Sequence, residues 1–360
     1  MPITLIAAED DEGRRLDRIL RKALPDLPLS AIHRLLRKSA VQVDGEKAGG
    51  EARVKKGQII KIAMETPPEG TAASLHLKSS QGGGPPAKSS KGQKTAESGK
   101  TPDSFTLEIL FEGSGLLIVN KPRGLAVHGG SNSGGKNPSL QNYVIPFLSP
   151  KLPHSLSFKP GPLHRLDKGT SGIIVFSTSL EGAHFFSSLL QSRSLKKAYL
   201  ALVMGAIKKC EKWEDCLIRN HSLQKTFMAK NNSGDSTDQK GKKAITKIIP
   251  LAWNSSYSLI IAKIETGRTH QIRAQAANHG HPLFGDKKYG GSIITRHNYN
   301  PGGFLLHAWK MEFPCGFSLP KHIEAPLPEY YKKTIQQLFG KDLEELLTSE
   351  MSVAAGFTRP

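Results

Sequence analysis

The chain has 360 residues, 38% of them apolar, which is enough for one catalytic domain of ordinary size plus a small appendage and too much for global disorder. Lysine and arginine number 50 against 31 acidic residues, a formal charge of +19. Such a field concentrates a polyanion, nucleic acid before an acidic membrane surface. Three scattered cysteines, Cys210, Cys216 and Cys315, exclude a disulfide framework and fit no CxxC metal spacing, so reduced thiols are expected.

At the N-terminus no basic segment precedes a long apolar one, and no apolar run anywhere approaches the ~20 residues of a membrane helix. A soluble, cytoplasmic protein is expected. Leu16, Ile19, Leu20, Ala23 and Leu24 then recur at helical spacing, and Pro25 ends that helix. Ser30 is the expected N-cap of a second helix with Ile32, Leu35 and Leu36 on its apolar side. Residues 41–43 alternate as a strand, Asp44-Gly45 is a hairpin turn signal, and residues 58–63 close with a second short strand. Residues 1–64 are thus expected to form a small, strongly basic αα-β domain. Arg34, Arg37 and Lys38 cluster on its second helix as candidate RNA contacts, although a solvated basic face has the same composition.

Residues 65–104 turn to Gly, Ser, Pro and Lys, a composition unable to bury enough apolar surface to order itself. A flexible linker is expected there, with a reach of roughly 35 Å for about forty residues. Residues 105–340 become globular again. Strands are expected at 107–111, 116–119, 172–177, 197–203 and 258–265. One helix is marked by Leu180, Ala183, Phe186, Leu189 and Leu190, and another spans 269–278, ended by Gly280. Strands outnumber helices without alternating with them, so the expected fold is α+β on a mixed, largely antiparallel sheet flanked by helices and loops. The polar stretch 230–243 reads as an exposed loop, and 341–360 as a short helix and tail.

Three segments carry chemistry. His164-Arg-Leu-Asp-Lys-Gly-Thr-Ser-Gly172 puts Asp167 on a glycine-containing turn before an apolar strand, where loops carry function. Alone, Asp167 is as readily a turn residue. Glu265-Thr-Gly-Arg-Thr-His-Gln-Ile-Arg273 leads through a tight turn into a helix and gathers Arg268, His270 and Arg273 near its start, a pattern also met in anion sites and surface salt bridges. Asn120-Lys-Pro-Arg-Gly-Leu-Ala-Val-His-Gly-Gly-Ser131 runs from a strand into a glycine-rich loop. His164, His270, His279, His281 and His307 show neither HExxH nor a zinc spacing, so no metal site is expected.

Together HRLDKGTSG, KAYLALV at 197–203, ETGRTHQIR, GHPLFGDKKYGG and LHA at 306–308 resemble the ribosomal large-subunit pseudouridine synthase family of the RluA type, in order and spacing, across nearly all of 105–340. Residues 1–64 look like the ribosomal-protein-S4-like RNA-binding domain that precedes many members. NKPRGLAVHGGS and EAPLPEYYKKTIQQL most resemble the C-type subgroup, which acts on large-subunit ribosomal RNA. The resemblance implies isomerisation of uridine to pseudouridine without any cofactor, after base flipping. It makes Asp167 the nucleophile, which attacks C6 or C1′. Arg273 is then its ion-pair partner, and Tyr199 lies against the uracil and accepts the C5 proton, though a strand tyrosine also suits a core. Arg165 enters the RNA stack, and His164, Arg268, His270 and Leu306 complete the substrate contacts. The implied partner is large-subunit ribosomal RNA or a pre-ribosomal particle, with the enzyme a monomer and no membrane involved. A linker of this length and the extended 230–243 loop depart from the family pattern. The rival from another class is a non-catalytic RNA-binding or ribosome-assembly factor, which explains the charge but not Asp167, Tyr199 and Arg273 together. A metal-dependent nuclease lacks its carboxylate cluster.

Overall fold

The computed structural model describes residues 2–63, 105–129, 138–152, 155–220, 222–229, 241–292, 302–314, 318–340 and 345–347. The chain divides into two compact units, one of residues 1–106 with 152–159, the other of 107–151 with 160–360. The expected linker and most of the C-terminal tail lie outside the described residues.

The smaller unit has β1 (Ile3–Ile6), α1 (Leu16–Ala23), α2 (Leu29–Arg37), β2 (Val41–Val43), β3 (Glu46–Lys47) and β4 (Ile59–Ile62), with sheet order β1-β4-β2-β3. Leu16, Ile19 and Leu20 of α1 close over Ile32, Val41, Val54, Ile60 and Ile62. Asp44 (φ 52) and Gly45 (φ 88) are both left-handed, the geometry a two-residue hairpin between right-twisted strands requires. Ser30 is not the N-cap of α2. That place falls to Pro28, whose extended backbone turns its carbonyl to Ala31 and Ile32. Strand β1 escaped the sequence reading because its pattern, half-buried on alternate residues, is only four residues long. Residues 152–159, remote in sequence, belong to this unit. Buried Asp11 accepts the backbone N–H groups of Leu156 (3.0 Å) and Ser157 (2.9 Å) and the Ser157 hydroxyl. Arg14 donates to the Ser157 carbonyl at 3.2 Å.

The larger unit runs β5 (Glu108–Gly113), β6 (Leu116–Lys121), α3 (Leu140–Leu148), β7 (Gly161–Pro162), β8 (Ser171–Ser177), α4 (Leu180–Gln191), β9 (Lys196–Met204), β10 (Glu211–Asn220), β11 (Lys225–Met228), β12 (Lys242–Trp253), β13 (Tyr257–Ile264), α5 (Gln271–Asn278), β14 (Leu306–Glu312), β15 (His322–Glu324) and α6 (Glu329–Phe339). Its 11-stranded sheet has the order β11-β10-β12-β13-β9-β14-β8-β6-β5, with β15 on β14 and β7 on β8. The pairings are antiparallel except β8 with β14, so the sheet is mixed as expected. Leu200, Leu202 and Leu259 pack with Phe284, Tyr331 and Ile335 in one core, and Ile118, Ile173 and Val175 with Phe186 and Leu189 of α4 in another. At the β8–β14 seam Gly172 (φ +106) sits where a Cβ would strike the Ala308 backbone, so only glycine lets the two strands approach.

Two readings change here, and β12 and α3 went unread. Helix α5 begins at Gln271 rather than 269, because His270 adopts φ 55 and a left-handed residue cannot extend a right-handed helix. Of the expected loop 230–243, residues 230–240 lie outside the described residues, whereas Lys242 and Lys243 are strand, paired with Leu217 and Cys216. Strand β12 was hidden by Pro250, which sits where the register slips beside β13, and α3 by its internal Pro146.

Candidate active site

Asp167 stands on the turn before β8, its carboxylate only 17% exposed. The turn is closed by Thr170 N–H on the Asp167 carbonyl at 3.0 Å. Phe304 lies so close beneath Gly169 that a Cβ there would come within 2.7 Å of its ring. From α5, Arg273 donates Nη1–H to Asp167 Oδ2 at 2.9 Å. Its other edge holds Asp286 bidentately, Nε to Oδ2 at 2.7 Å and Nη2 to Oδ1 at 2.9 Å. The guanidinium carbon lies 4.3 Å from the Phe304 ring centroid and 5.0 Å from that of Tyr289. Burial acts to lower the Arg273 pKa, but the hydrogen bonds and charges of Asp286 and Asp167 outweigh it and raise the pKa. A cation is therefore locked against Asp167 in a site where a lone carboxylate would be driven to take a proton.

His270 presents Nε2 to Asp167 Oδ1 at 3.6 Å and Nδ1 to the Tyr289 hydroxyl at 2.8 Å. The Tyr289 oxygen already accepts the Thr226 N–H, so its own hydrogen is free for His270 Nδ1, leaving Nε2–H toward the carboxylate. Burial, opposed by Asp167 and reinforced by Arg273, brings the imidazole down to about 4, so it is neutral at pH 7. Tyr199, on β9, lines the cleft with Asp167, His164, Arg165, Arg268 and His270, in a volume of about 430 Å³. Burial first, and the Asp167 charge second, push its phenol up, so it is protonated at neutral pH. Arg165 is on the exposed rim. Leu306 lines a narrower recess with Asp167, Tyr199 and Arg273.

Two expected substrate contacts are anchored in the protein itself. His164 Nε2 accepts the Val175 N–H at 3.1 Å and its ring stacks 5.8 Å from Phe186, with burial, then Lys197, bringing it down to about 3. Arg268 donates Nε–H to the Lys243 carbonyl at 3.1 Å, though it still borders the cleft. Of the five histidines weighed as metal ligands, the other three have separate partners: His279 on Asp215, His281 on the Met204 carbonyl, and His307 on Ser171. Arg34, Arg37 and Lys38 are exposed on or just after α2 in the smaller unit. In that unit Arg14, Arg18, Arg21, Lys22 and Lys159 also line a basic groove.

Sequence reasoning missed Asp286, Tyr289 and Lys121, although all three lie in segments that it singled out. Lys121 is fully buried and donates to the Pro122 (2.9 Å) and Leu125 (2.8 Å) carbonyls. Burial brings its amine down to about 7, against the pull of Asp167. Only Lys121 carried a local signal, a lone cation closing the apolar strand β6.

A family model described as RNA pseudouridylate synthase matches residues 115–278. Ribosomal large subunit pseudouridine synthase C of Vibrio vulnificus is 30% identical over 335 residues, 92% of this chain and 94% of that one. Ribosomal large subunit pseudouridine synthase D of Nitrosomonas europaea is 30% identical over 341 residues, 93% of this chain and 88% of that one. Among solved structures, human RNA pseudouridylate synthase domain containing 4 superposes with a TM-score of 0.52 at 21% identity, covering 64% of this chain and 92% of that one. That likeness establishes the fold, and the sequence similarity reaches further: extending over nearly the full length of both proteins, it places this chain in the RNA pseudouridylate synthase family.

Proposed function

We propose that this pseudouridine synthase acts on large-subunit ribosomal RNA, free or in a pre-ribosomal particle, as a cytoplasmic monomer, with Asp167 as its nucleophile. The observation that carries the reading is Asp167 held in the cleft by an arginine that is itself clamped by the buried Asp286. A non-catalytic RNA binder has no use for such an interior charge cluster, which costs desolvation and returns little net stability. The name of the similar Vibrio protein, and the positive charge of this chain, support ribosomal RNA as the substrate.

The target uridine flips into the cleft, with Arg165 at the rim taking its place in the stack. The Asp167 carboxylate adds to the nucleoside, the N1–C1′ bond breaks, the uracil turns, and C5 joins C1′ as the carboxylate leaves. C5 loses its proton and N1 gains one, so the step is an isomerisation. Arg273 holds one oxygen of Asp167, and neutral His270 faces the second. Tyr199 forms a wall of the pocket as a neutral phenol. It takes the C5 proton only by passing its own onward, with Asp167, which lines the same cleft, as the acceptor. The basic smaller unit, read as an S4-like domain with Arg34, Arg37 and Lys38 on phosphates, adds affinity. Among the described residues no helix is long and apolar enough to cross a membrane.

The test is Asp167→Asn, nearly isosteric but without the nucleophile. Pseudouridine mapping of ribosomal RNA incubated with the variant should show no product, while RNA binding persists. Turnover within tenfold of wild type would remove Asp167 from its role.

A further inference from the structure

Beyond the cleft, one row across four neighbouring strands concentrates positive charge. Lys247 of β12 lies directly opposite Lys263 of β13, Lys263 opposite Ala198 of β9, and Ala198 opposite Lys310 of β14. Like charges facing each other across an antiparallel pair destabilise a sheet, so folding alone does not favour this row. Carboxylates compensate only part of it: Lys247 meets Glu265 at 3.5 Å and Lys310 meets Glu324 at 2.7 Å. Among the described residues Lys263 has no ion-pair partner. The row lines a groove of about 360 Å³ whose lining at Ala198 is a methyl group.

The groove is continuous with the active-site cleft, because Arg193, Leu195, Lys197, Ile264 and Glu265 border both. Lys197 stands at the junction. It shares a face of β9 with Tyr199, whereas Ala198 and the lysines in register with it lie on the opposite face, so the groove reaches the cleft around the strand ends at Lys197 and Ile264. Lys197 too forms no ion pair among the described residues. The cations that flank Asp167 deeper in are already engaged, Arg273 by two carboxylates and Lys121 by carbonyls. Lys197 is thus a half-buried ammonium at the mouth of the site, left for a ligand.

We propose that the row is a phosphate track: the backbone of the substrate RNA leaves the uridine cleft over Lys197, rounds the strand ends and follows the opposite face of the sheet along Lys310, Lys263 and Lys247. The inference rests on the reading of the cleft as a uridine site. A chain bearing one negative charge per residue matches such a row, in which Lys247 and Lys263 are one strand, about 4.8 Å, apart and Lys310 lies two strands from Lys263 across Ala198. An acidic protein is the alternative occupant of such a surface, but it would not need to enter the cleft.

The experiment uses full-length Asp167→Asn protein, so that binding is read without turnover, and transcribed large-subunit ribosomal RNA as the probe. The dependence of the binding constant on salt is measured for Lys263→Gln, Lys247→Gln/Lys263→Gln and Lys197→Met. Each phosphate left without its lysine should flatten the log–log slope by about 0.7–0.9, the double variant flattening it about twice as far as Lys263→Gln. The thermal midpoint of Lys263→Gln should hold or rise, since the substitution relieves the opposition to Lys247. That combination separates a phosphate-binding lysine from a merely structural one, whose loss would lower the midpoint. An unchanged slope in Lys263→Gln and the double variant overturns the track, as does a weakening that follows only a falling midpoint. A flattened slope for Lys197→Met alone also overturns it, confining phosphate binding to the cleft mouth. If Asp167→Asn instead retains catalysis, the reading of the cleft fails while the slopes are still measured.

Discussion

The two units use charge in opposite ways. In the smaller one Arg34, Arg37 and Lys38 stand exposed around α2, where each acts almost independently and is screened by salt. In the larger one Arg273 is 8% exposed and bonded to two carboxylates at once, one of them, Asp286, only 1% exposed. Exposed charges can be exchanged singly at small cost. Interlocked buried charges fail together, because removing one strands the others away from water.

The sharpest way to break the contrast is Arg273→Met. It leaves Asp167 and Asp286 without their shared cation, so activity should fall by about a thousandfold or more and stability by about 3–5 kcal/mol. Because Asp167 then tends to be protonated, the acidic limb of the activity profile should move to higher pH. Asp286→Asn touches nothing in the cleft but loosens the arginine, and a loss of about a hundredfold is expected from the displaced partner. Single-turnover rates across pH decide this; a lowered plateau with an unmoved limb would mean that Arg273 holds a phosphate instead.

A second consequence belongs to the larger unit, whose His164, His270 and His307 are all brought down by burial, to about 3, 4 and 4. Unfolded histidine titrates near 6.5. Below that pH the unfolded chain binds protons that these folded sites refuse, so stability is full above about 6.5 and is lost as pH falls toward 4. Each histidine contributes a slope of about 1.4 kcal/mol per pH unit in that window. Urea unfolding at pH 7 and pH 5 measures it, and equal stabilities at the two values would mean that the three imidazoles are not held neutral by burial.

The smallest effect is expected in the exposed set. Arg34→Gln/Arg37→Gln/Lys38→Gln should raise KM more than it lowers kcat and flatten the salt dependence by about 0.7–0.9 for each phosphate no longer neutralised. Filter binding across a salt series reads this directly, and a collapse of kcat would show these residues to be part of the reacting site. Charge exchange is a cleaner probe than removal of residues 1–64, because deletion would also strip Asp11 from the 155–157 segment that it holds.

Much of the fold is legible in the sequence. Local features carry their own signals: the two left-handed residues at Asp44-Gly45, the helical spacing of α1 and α4, and the turn that presents Asp167. Each is decided by neighbours within a few positions, where backbone preference and side-chain periodicity act. The pairing of Asp167 with Arg273, 106 residues apart, reached the sequence reading only through family resemblance. Asp286 did not reach it at all, since nothing local marks an aspartate as the clamp of a distant arginine. The same holds for the lysine row. Lys247, Lys263 and Lys310 are inconspicuous along the chain and become a row only through the register of four strands. Residues 155–157 likewise join the smaller unit only through tertiary contacts, with Asp11, Arg14 and the small core. Local chemistry determined the turns and most of the helices. Which groups meet was decided by the packing of the sheet, because register is set by the burial of whole strand faces and not by the residues that those faces bring together.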